Sequence, residues 1–558
     1  MSGDHDAEAG LDRLRASYDE APYESYGHPR SAPGQLAAIA WLFGLETPHV
    51  SSARVLEIGC AAAGNLIPFA AMHPHASTVG VDLSPVHIRQ GRQRVRALGL
   101  DNVELIIGDI AHVDLTSLGH FDFIICHGVY SWVPECVQAA ILTACRTLLA
   151  ATGVAYVSYN AYPGWKAKEI VRDAMLLSVD DTASPPEKVG HARREVEFLQ
   201  TVAEPESVLA RALADHQAMA AQTGDYYLLH EELEAFNTPC YFRDFVDRAR
   251  AHGLEYLAEA QPENMFVRNY GPVAADHLLK DRGNDHVLVE QHLDFVVNRS
   301  YRQTLLVHSE RAQQISRTMD RGRNRRLHVA ACLPPVAGPT RLDDSRQLYG
   351  AAGVAQIVVS DPGVKVALDA LNGRWPWTLS WQELRAATRS RLVRSESTQI
   401  ADLDTRIDDL VEVLVTRGLA RYRLDPVFPQ PVCAPVRLNE AARRMAELTR
   451  DDDEAFIFNQ WHESLPLAPL DRHLLPLLNG NRDRDALVDA LVDLYRQNVI
   501  RIDRDDDRLV DEAEVRDVLA GAIDTMPRRL VELKLLRVDA ISSRATPVRT
   551  ATAMRSAR

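Results

Sequence analysis

The sequence is poor in the features that mark several common classes of protein. Its seven cysteines include no CxxC pair, so we predict no metal site of the zinc-ribbon type and no thioredoxin-type site. The longest apolar run near the start, LAAIAWLFGL at 36–45, is too short to span a bilayer. The first ten residues, MSGDHDAEAG, are polar and acidic and do not resemble a secretory signal. We therefore expect a cytoplasmic protein without stable membrane insertion.

Positive charge is also scarce. The chain has 62 Lys and Arg against 77 Asp and Glu, a formal net charge of -15. Binding to nucleic-acid phosphates depends on clustered positive charge, so we predict no nucleic-acid partner. At 558 residues, 46% of them hydrophobic, the chain is too long for one core and has the composition of a folded protein of several domains.

From residue 54 onward, short apolar stretches alternate with helical ones. Continuous Val, Ile and Leu strands separated by helices are typical of a doubly wound parallel sheet in an α/β protein. We predict two more strands, at about 254–260 and 302–308, with helical insertions around them, which makes a seven-stranded Rossmann-like sheet. The first five strands are RVLEIGC, STVGVDLS, VELIIGDI, FDFIICHG and GVAYVSYN.

The rest of the chain suggests further units. VALDALNGRW (366–375) resembles LLPLLNGNRD (474–483), a weak repeat compatible with two mostly helical, winged-helix-like units. We regard the basic stretch 316–326 as a linker. The predicted units are an N-terminal segment and helix (1–45), the Rossmann-like core (46–180), insertions with strands six and seven (181–312), a middle winged-helix-like domain (327–430), a C-terminal winged-helix-like domain (431–540) and a disordered tail (541–558).

The chemistry is expected at the carboxyl ends of the strands, where doubly wound sheets bind their ligands. Strand one ends in Glu57 and Gly59, strand two in Asp82, strand three in Gly108-Asp109, and strand four precedes His127. An acid at the end of strand two is placed to accept hydrogen bonds from a ribose diol.

Three features distinguish between the cofactors that fit such a loop. Glu57, just before the turn, would repel a pyrophosphate but can hold an ammonium group. Asp109 could accept a hydrogen bond from the adenine amine, and strand seven is a late addition to the sheet. Together they favour S-adenosylmethionine over NAD or FAD. Each acid also has an ordinary alternative role, as a helix cap (Asp82), a turn residue (Asp109) or a surface carboxylate (Glu57).

Several stretches resemble bacterial class I methyltransferases that carry a methyltransferase regulatory domain, above all the rickettsial-type outer-membrane-protein lysine methyltransferases. The resemblance is strong over residues 15–310 and weaker to about 538. HGVYSWVP and SYNAYPGW are specific to this group. The stretches are VLEIGCAAAGNLIPFA, VGVDLS, LIIGDI, FDFIICHGVYSWVP, GVAYVSYNAYPGW and DYYLLHEELEAFNTPCYFRDFVDRARAHGLEYLAEA.

The resemblance implies a set of cofactor contacts. S-adenosylmethionine would be bound by residues of the strand ends, with His127 near its methionine end, and YDEAPYESYGHP (18–29) would form a lid. The implied contacts are Glu57, Gly59, Gly64, Asn65, Asp82, Leu83, Asp109, Ile110 and His127, and from the lid Tyr18, Tyr23 and His28.

The loop departs from the family pattern in one respect, because Ala61 and Ala63 occupy positions that are usually glycine. An alanine in a left-handed conformation costs roughly 1–2 kcal/mol. We therefore predict a negative φ at both alanines.

A lysine acceptor must lose a proton before it can attack, and an aromatic pocket lowers its pKa by desolvation. Two aromatic stretches follow strands four and five and contribute Trp132 and Trp165 as well as candidate catalytic residues. His127 is a candidate base, although a structural histidine is an equal alternative, and the aromatics could equally be packing residues. The candidates are His127, Tyr130, Tyr159, Asn160 and Tyr162; the stretch DYYLLHEELEAFN (225–237) adds Tyr226, Tyr227 and His230 as a possible substrate wall.

These observations predict an S-adenosylmethionine-dependent methyltransferase acting on protein lysine. Small-molecule N- or O-methylation in secondary metabolism is the alternative, and the large C-terminal half favours a macromolecular acceptor. A winged-helix DNA-binding regulator is opposed by the acidic stretches 448–460 and 502–514. The winged-helix-like units are expected instead to dock protein or to mediate a homodimer.

Overall fold

Seven strands form the central sheet of the computed structural model. Their order is β3-β2-β1-β4-β5-β7-β6, and β1 to β5 are parallel. This confirms the predicted seven-stranded Rossmann-like sheet. The strands are β1 Arg54–Ile58, β2 Ser77–Asp82, β3 Val103–Ile107, β4 Phe121–Cys126, β5 Leu149–Asn160, β6 Leu254–Glu259 and β7 Tyr301–His308. The structure describes residues 15, 19, 25–180, 183–221, 228–234, 236–282, 285–350, 356–394, 402–428, 435–452, 454–504, 507–508 and 511–535.

Strand β7 lies between β5 and β6 and is antiparallel to both. The start of β7 therefore lies beside the end of β5, and Tyr301 pairs with Asn160. As a result, the first residues of β7 lie at the edge where the parallel strands end.

Helices cover both faces of this sheet: α1 Pro33–Leu42, α2 Leu66–Met72, α3 Pro85–Leu98 and α4 Glu135–Leu148. Helix α3 illustrates how local sequence sets the boundaries. Ser84 caps its start by accepting a hydrogen bond from the amide of His87, Pro85 occupies the first turn, and Gly99 ends the helix with a φ of 67°.

The insertions are helical, as predicted. Helices α5 Gly164–Ser178, α6 Pro185–Val202 and α7 Val208–Ala220 follow β5, α8 Phe242–Ala251 precedes β6, and α9 Pro272–Arg282 and α10 His286–Val296 precede β7. Helix α8 buries Phe242, Phe245, Val246 and Ala249, the spacing of one apolar helix face. Across the described part of the chain, the helices do not include one long and apolar enough to cross a bilayer.

The middle part of the chain packs directly on the sheet domain. It contains α11 Arg321–Asn324, β8 His328–Ala330, β9 Gln347–Tyr349, β10 Ile357–Val359, α12 Pro362–Arg374, β11 Leu379–Ser380, α13 Trp381–Arg394, α14 Leu403–Thr416 and β12 Arg421–Arg423. One continuous apolar cluster includes α1, part of the central sheet and the helices of this middle region.

The stretch 316–326 is packed against the fold, which makes the linker prediction wrong. The indole nitrogen of Trp41 donates to the carbonyl of Arg323 over 2.9 Å. The guanidinium carbons of Arg323 and Arg326 lie 4.3 and 4.5 Å from the centroid of the Trp41 ring. Basic side chains that stack on an indole are held by cation–π attraction. The basic composition of 316–326 therefore did not mean that this stretch is an unpacked linker.

The C-terminal unit has a core of its own. It contains α15 Glu440–Leu448, β13 Phe456–Phe458, β14 Ser464–Pro466, α16 Asp471–Leu474, α17 Arg484–Arg496, β15 Asp503–Arg504, β16 Asp507–Arg508 and α18 Glu512–Glu532. Strands β13 and β14 form a hairpin. Arg444 of α15 donates to the carbonyl of Leu98 over 3.3 Å, so the unit lies against the end of α3.

Candidate active site

A cavity of about 450 Å³ opens at the carboxyl ends of β1 to β5. Its position is the one expected for a ligand of a doubly wound sheet. Most of the predicted site residues that the structure describes lie in its wall: His28, Glu57, Gly59, Asn65, Asp82, Leu83, Asp109, Ile110, His127, Asn160 and His230.

The loop after β1 is left-handed at both alanines, so the prediction of negative φ is wrong. The φ angles are 45° at Ala61 and 62° at Ala63. The amide of Ala61 donates to a carboxylate oxygen of Asp82 over 2.8 Å, and that of Ala63 donates to the carbonyl of Cys60 over 2.8 Å. These contacts compensate for a conformation that costs an alanine roughly 1–2 kcal/mol.

The two retained glycines are needed for different reasons. Gly59 has a φ of 72°, and a Cβ there would meet Val129 at 2.3 Å. At Gly64, a Cβ would meet the backbone oxygen of Ser25 at 2.0 Å. Gly64 is not among the residues that line the cavity; it is required because the N-terminal segment crosses the loop there.

Glu57 is buried beneath this loop with one oxygen engaged and one free. Its Oε1 accepts a hydrogen bond of 2.7 Å from the side-chain amide of Asn65. Its Oε2 is buried without a hydrogen-bond partner among the described residues. Burial raises the pKa of Glu57 to about 8, an effect that the Asn65 hydrogen bond opposes and the charge of Asp82 reinforces. A surface position is thereby excluded for this carboxylate.

Asp82 and Asp109 hold the turns that follow β2 and β3. Asp82 accepts hydrogen bonds from the amides of Ala61 and Ser84, at 2.8 and 2.9 Å. Asp109 accepts one from the amide of Ala111 at 2.9 Å. The helix cap itself is Ser84. Both carboxylates also line the cavity, where their remaining lone pairs can accept hydrogen bonds from a ligand.

The N-terminal segment 25–31 closes one side of the cavity. Ser25, Tyr26 and His28 line it, and the ring centroids of His28 and His127 lie 3.8 Å apart. Nδ1 of His127 lies 2.8 Å from the Tyr156 hydroxyl. Burial lowers the pKa of His28 to about 4, and burial together with His28 lowers that of His127 well below its usual value. Both imidazoles are therefore neutral at pH 7.

The opposite end of the cavity is aromatic. Trp132 and Trp165 line it, with their rings edge to face and their centroids 6.1 Å apart. The side-chain nitrogen Nδ2 of Asn160 donates to Oδ1 of Asn237 over 3.0 Å, so Oδ1 of Asn160 lies on the opposite side of its amide group.

Two cavity residues at this end were missed by reasoning from sequence. Lys168 and Glu231 line the wall, and burial raises the pKa of Glu231 to about 7, against the attraction of Lys168. Neither residue follows a strand end. The only sequence feature that pointed to Glu231 is its place in DYYLLHEELEAFN (225–237), one of the stretches that resemble the methyltransferase family. Tyr301 also lines the cavity, brought there by the antiparallel direction of β7.

The structure places three of the predicted catalytic tyrosines outside the wall of this cavity. Tyr130 and Tyr159 belong to the hydrophobic core, where the Tyr159 ring stacks on Phe245 with the centroids 4.0 Å apart. The Tyr162 hydroxyl donates to Glu169 over 2.5 Å. None of the three lines the cavity. For Tyr159 the reason is strand geometry: alternate residues of β5 point to opposite faces of the sheet, so its side chain points away from the side that Asn160 faces. The predicted Tyr18, Tyr23, Tyr226 and Tyr227 lie outside the described residues.

The residues present fit S-adenosylmethionine. Oε2 of Glu57 is buried without a hydrogen-bond partner among the described residues. A cation beside a carboxyl lowers its pKa, so an arriving ammonium group would ionise Glu57 and find an acceptor there, whereas a pyrophosphate would not. Asp82 and Asp109 suit a ribose diol and an adenine amine. The neutral imidazoles of His28 and His127 add no positive charge that would repel a sulfonium.

Three family models match the chain. A methyltransferase domain matches residues 49–213, a predicted methyltransferase regulatory domain matches 224–308, and the PKMT C-terminal winged helix domain matches 440–535. The regulatory-domain match contains α8 to α10 together with β6 and β7. The winged-helix match coincides with the C-terminal unit from α15 onward.

Two relatives and one solved structure extend these matches. An uncharacterized protein of Rickettsia prowazekii is 29% identical over 528 residues, which cover 93% of each chain. A second one is 35% identical over 244 residues, 44% of this chain and 97% of that relative. The structure of PKMT2 from Rickettsia typhi in complex with AdoHcy superposes with a TM-score of 0.80 at 24% identity, covering 92% of this chain and all of that one. The likeness to this structure shows that the fold is shared.

Proposed function

The chain belongs to the class I methyltransferases that carry a methyltransferase regulatory domain, and we propose that it transfers methyl groups from S-adenosylmethionine to lysine side chains of a protein. The observation that carries the proposal is the cavity, which has a carboxylate-rich end for the cofactor and an aromatic end for the acceptor. S-adenosylmethionine supplies, when bound, a methyl group on a positively charged sulfur. The residues of the chain then bind, orient and desolvate the reactants.

At the first end, we propose that three carboxylates hold the cofactor. Glu57 would accept from its ammonium group, Asp82 from its ribose diol and Asp109 from its adenine amine. The tight turns at Gly59, Ala61 and Ala63 allow the backbone to approach the ligand closely. Leu83 and Ile110 contribute apolar contact from the neighbouring strand ends.

At the second end, we propose that Trp132 and Trp165 enclose the acceptor side chain. Ring faces attract a cationic nitrogen and also accept the methylated product. The Asn160 oxygen would accept a hydrogen bond from the amine, and so orient its lone pair. Burial by the indoles lowers the pKa of an entering ammonium group.

Glu231 is proposed as the group that receives the proton of the lysine ammonium. A lysine must lose one proton before its nitrogen can form a bond to the methyl carbon. The pKa of Glu231 is raised to about 7, within the range in which a carboxylate can exchange protons at neutral pH. His127 is a less suitable base, because burial and the neighbouring His28 lower its pKa and so make its imidazole a weaker proton acceptor.

A protein acceptor is favoured by the size of the chain around this cavity. The middle region and the C-terminal unit lie against the sheet domain, and a small substrate requires no such surface. The match to a winged helix domain of PKMT supports the same acceptor class. Cytoplasmic location is proposed because the six described cysteines are free thiols, as in proteins of a reducing compartment.

The experiment is methyl transfer from labelled S-adenosylmethionine to the proteins of a cell lysate. Mass spectrometry then identifies the modified residues, with Asp82→Ala as the variant that should transfer no label. Methyllysine in a defined set of proteins is the expected result. Label confined to small metabolites would replace the protein acceptor by a small molecule, and the absence of binding to S-adenosylmethionine would overturn the assignment. Sedimentation of the full chain tests the predicted homodimer.

A further inference from the structure

A histidine of the C-terminal unit contacts a polar residue in the wall of the cofactor cavity. His462 lies in the turn between β13 and β14, with a φ of 63°, and its side chain is buried. Its Nε2 is 2.8 Å from Oδ1 of Asn65, 397 residues away in sequence. Asn65 follows the loop after β1 and lines the cavity.

The contacts of Asn65 determine which way its amide points. Its Oδ1 lies 2.8 Å from both the amide nitrogen of His28 and Nε2 of His462. Its Nδ2 donates to Oε1 of Glu57 over 2.7 Å. Oδ1 can serve both neighbours only if His462 carries its proton on Nε2. His462 and the backbone amide of His28 therefore together hold the orientation in which Asn65 donates to Glu57.

The same hairpin fastens the segment that closes the cavity. The amide of Gly27 donates to the hydroxyl of Ser464 over 2.8 Å, and the hydroxyl of Tyr26 donates to Glu454 over 2.6 Å. A Cβ at Gly27 would meet the carbonyl oxygen of His462 at 2.9 Å. The segment 25–31 and the β13–β14 turn are thus in direct backbone contact.

We infer that His462 is a positioning residue for the cofactor: it orients Asn65 and thereby leaves the second oxygen of Glu57 directed at the ligand's ammonium group. The C-terminal unit then contributes to the cofactor site and is more than a docking surface. This inference rests on the proposed function, since it assumes that Glu57 meets a cationic ligand.

Substitutions of His462 in the full chain separate positioning from mere packing. In His462→Gln, the side-chain amide nitrogen is the same number of bonds from Cβ as Nε2 of histidine and can donate to Asn65. His462→Asn is one bond shorter and cannot, although asparagine tolerates the left-handed backbone well. His473→Gln is the matched control, because His473 lies in α16 of the same unit and is not bonded to Asn65, whereas His462 is.

Calorimetric titration with S-adenosylmethionine is the measurement. We expect His462→Asn to raise Kd about tenfold, the size of one lost hydrogen bond to a buried polar group. Kd should stay within about threefold of the native value for His462→Gln and His473→Gln. The thermal unfolding midpoint of each variant provides a second readout. If His462→Asn does not fold, His462→Met, which keeps the length without the donor, replaces it in the comparison.

A double-mutant cycle with Glu57→Gln tests whether the effect passes through Glu57. The losses of binding free energy are expected to be non-additive. Glu57→Gln removes a carboxylate that His462→Asn has already misdirected, so the second change costs less than it does alone. Equal affinity of native chain and His462→Asn, equal losses for the Asn and Gln variants, or fully additive losses would each overturn the inference. Failure of the native chain to bind S-adenosylmethionine would overturn the proposed function instead.

Discussion

The two ends of the cavity are built in different ways. At the cofactor end, Glu57 and Asp82 lie at the ends of β1 and β2 and Asp109 follows β3, and hydrogen bonds from backbone amides hold Asp82 and Asp109. At the acceptor end, Trp132, Trp165 and Glu231 come from three separate segments. Local sequence places the acids of the first end, whereas Trp165 and Glu231 reach the second end because the insertions fold back over the sheet.

This difference suggests how the two ends can change independently. Residues at strand ends keep their positions as long as the sheet forms, because the register of the parallel strands fixes them. Residues from insertions depend on the packing of α5 and of the segment 228–232 on the sheet. We therefore expect substitutions to separate cofactor binding from transfer.

The largest effect is expected at Asp82. Its carboxylate holds the left-handed loop through Ala61 and is proposed to accept from the ribose. Asp82→Ala should raise the Kd for S-adenosylmethionine by about 100-fold or more, since charge-assisted hydrogen bonds are lost on both sides. Calorimetry checks this, with Asp114→Asn, at an exposed turn, as the control. An unchanged Kd would mean that the cofactor end has been wrongly assigned.

A slightly smaller effect, confined to transfer, is expected at Glu231. Glu231→Gln keeps the shape but cannot take the lysine proton, and should lower kcat/KM by about 100-fold, the low end of what a general base contributes. The Kd for S-adenosylmethionine should stay within about threefold. Transfer to a methylated protein identified from the lysate provides the rate, and Glu204→Gln, an exposed site, is the control. Equal losses in binding and transfer would contradict the separation of the two ends.

A third test concerns the buried acid at the cofactor end. Because burial raises the pKa of Glu57 to about 8, the folded chain holds a proton there that the unfolded chain has already lost. The free energy of unfolding of the ligand-free protein should therefore fall as pH rises from 6.5 to 8, with a Glu57 contribution of roughly 1–2 kcal/mol.

Denaturant unfolding across this pH range measures that contribution as the difference between the native chain and Glu57→Gln. The window lies above the usual pKa of histidine, so the lowered pKa values of His28 and His127 act mainly below it. Parallel pH profiles for the two proteins would show that Glu57 is already charged.

The smallest effect is expected in the loop itself. Ala61→Gly relieves a left-handed alanine at some cost in chain entropy, and should raise the free energy of unfolding by roughly 0.5–1 kcal/mol. Ala63→Gly should gain little, because it also removes a methyl group that is fully buried. Urea unfolding of the two variants side by side checks this. A loss of stability in Ala61→Gly would mean that the loop imposes no strain.

The sheet, its strand-end acids and the cofactor class could be predicted because they depend on patterns close together in sequence. Apolar strands followed by helices predicted β1 to β5, and the acids lie at or just after the ends of three of them. The placement of Tyr130 and Tyr159 in the core could not be predicted, because an aromatic motif does not tell which way each ring points. The predicted negative φ at Ala61 and Ala63 was wrong as well. The preference of alanine for negative φ is outweighed by hydrogen bonds such as the one from Ala61 to Asp82.

The sequence by itself determined the alternation of strands and helices and the carboxylates that end three of the strands, because burial of apolar residues acts on neighbouring positions. Only the tertiary structure decided what surrounds them. It brought Glu231 and Tyr301 to the acceptor end, and it placed His462 against Asn65. Such contacts join residues tens to hundreds of positions apart, and their energy depends on the packed orientation of each side chain, which composition and spacing do not specify.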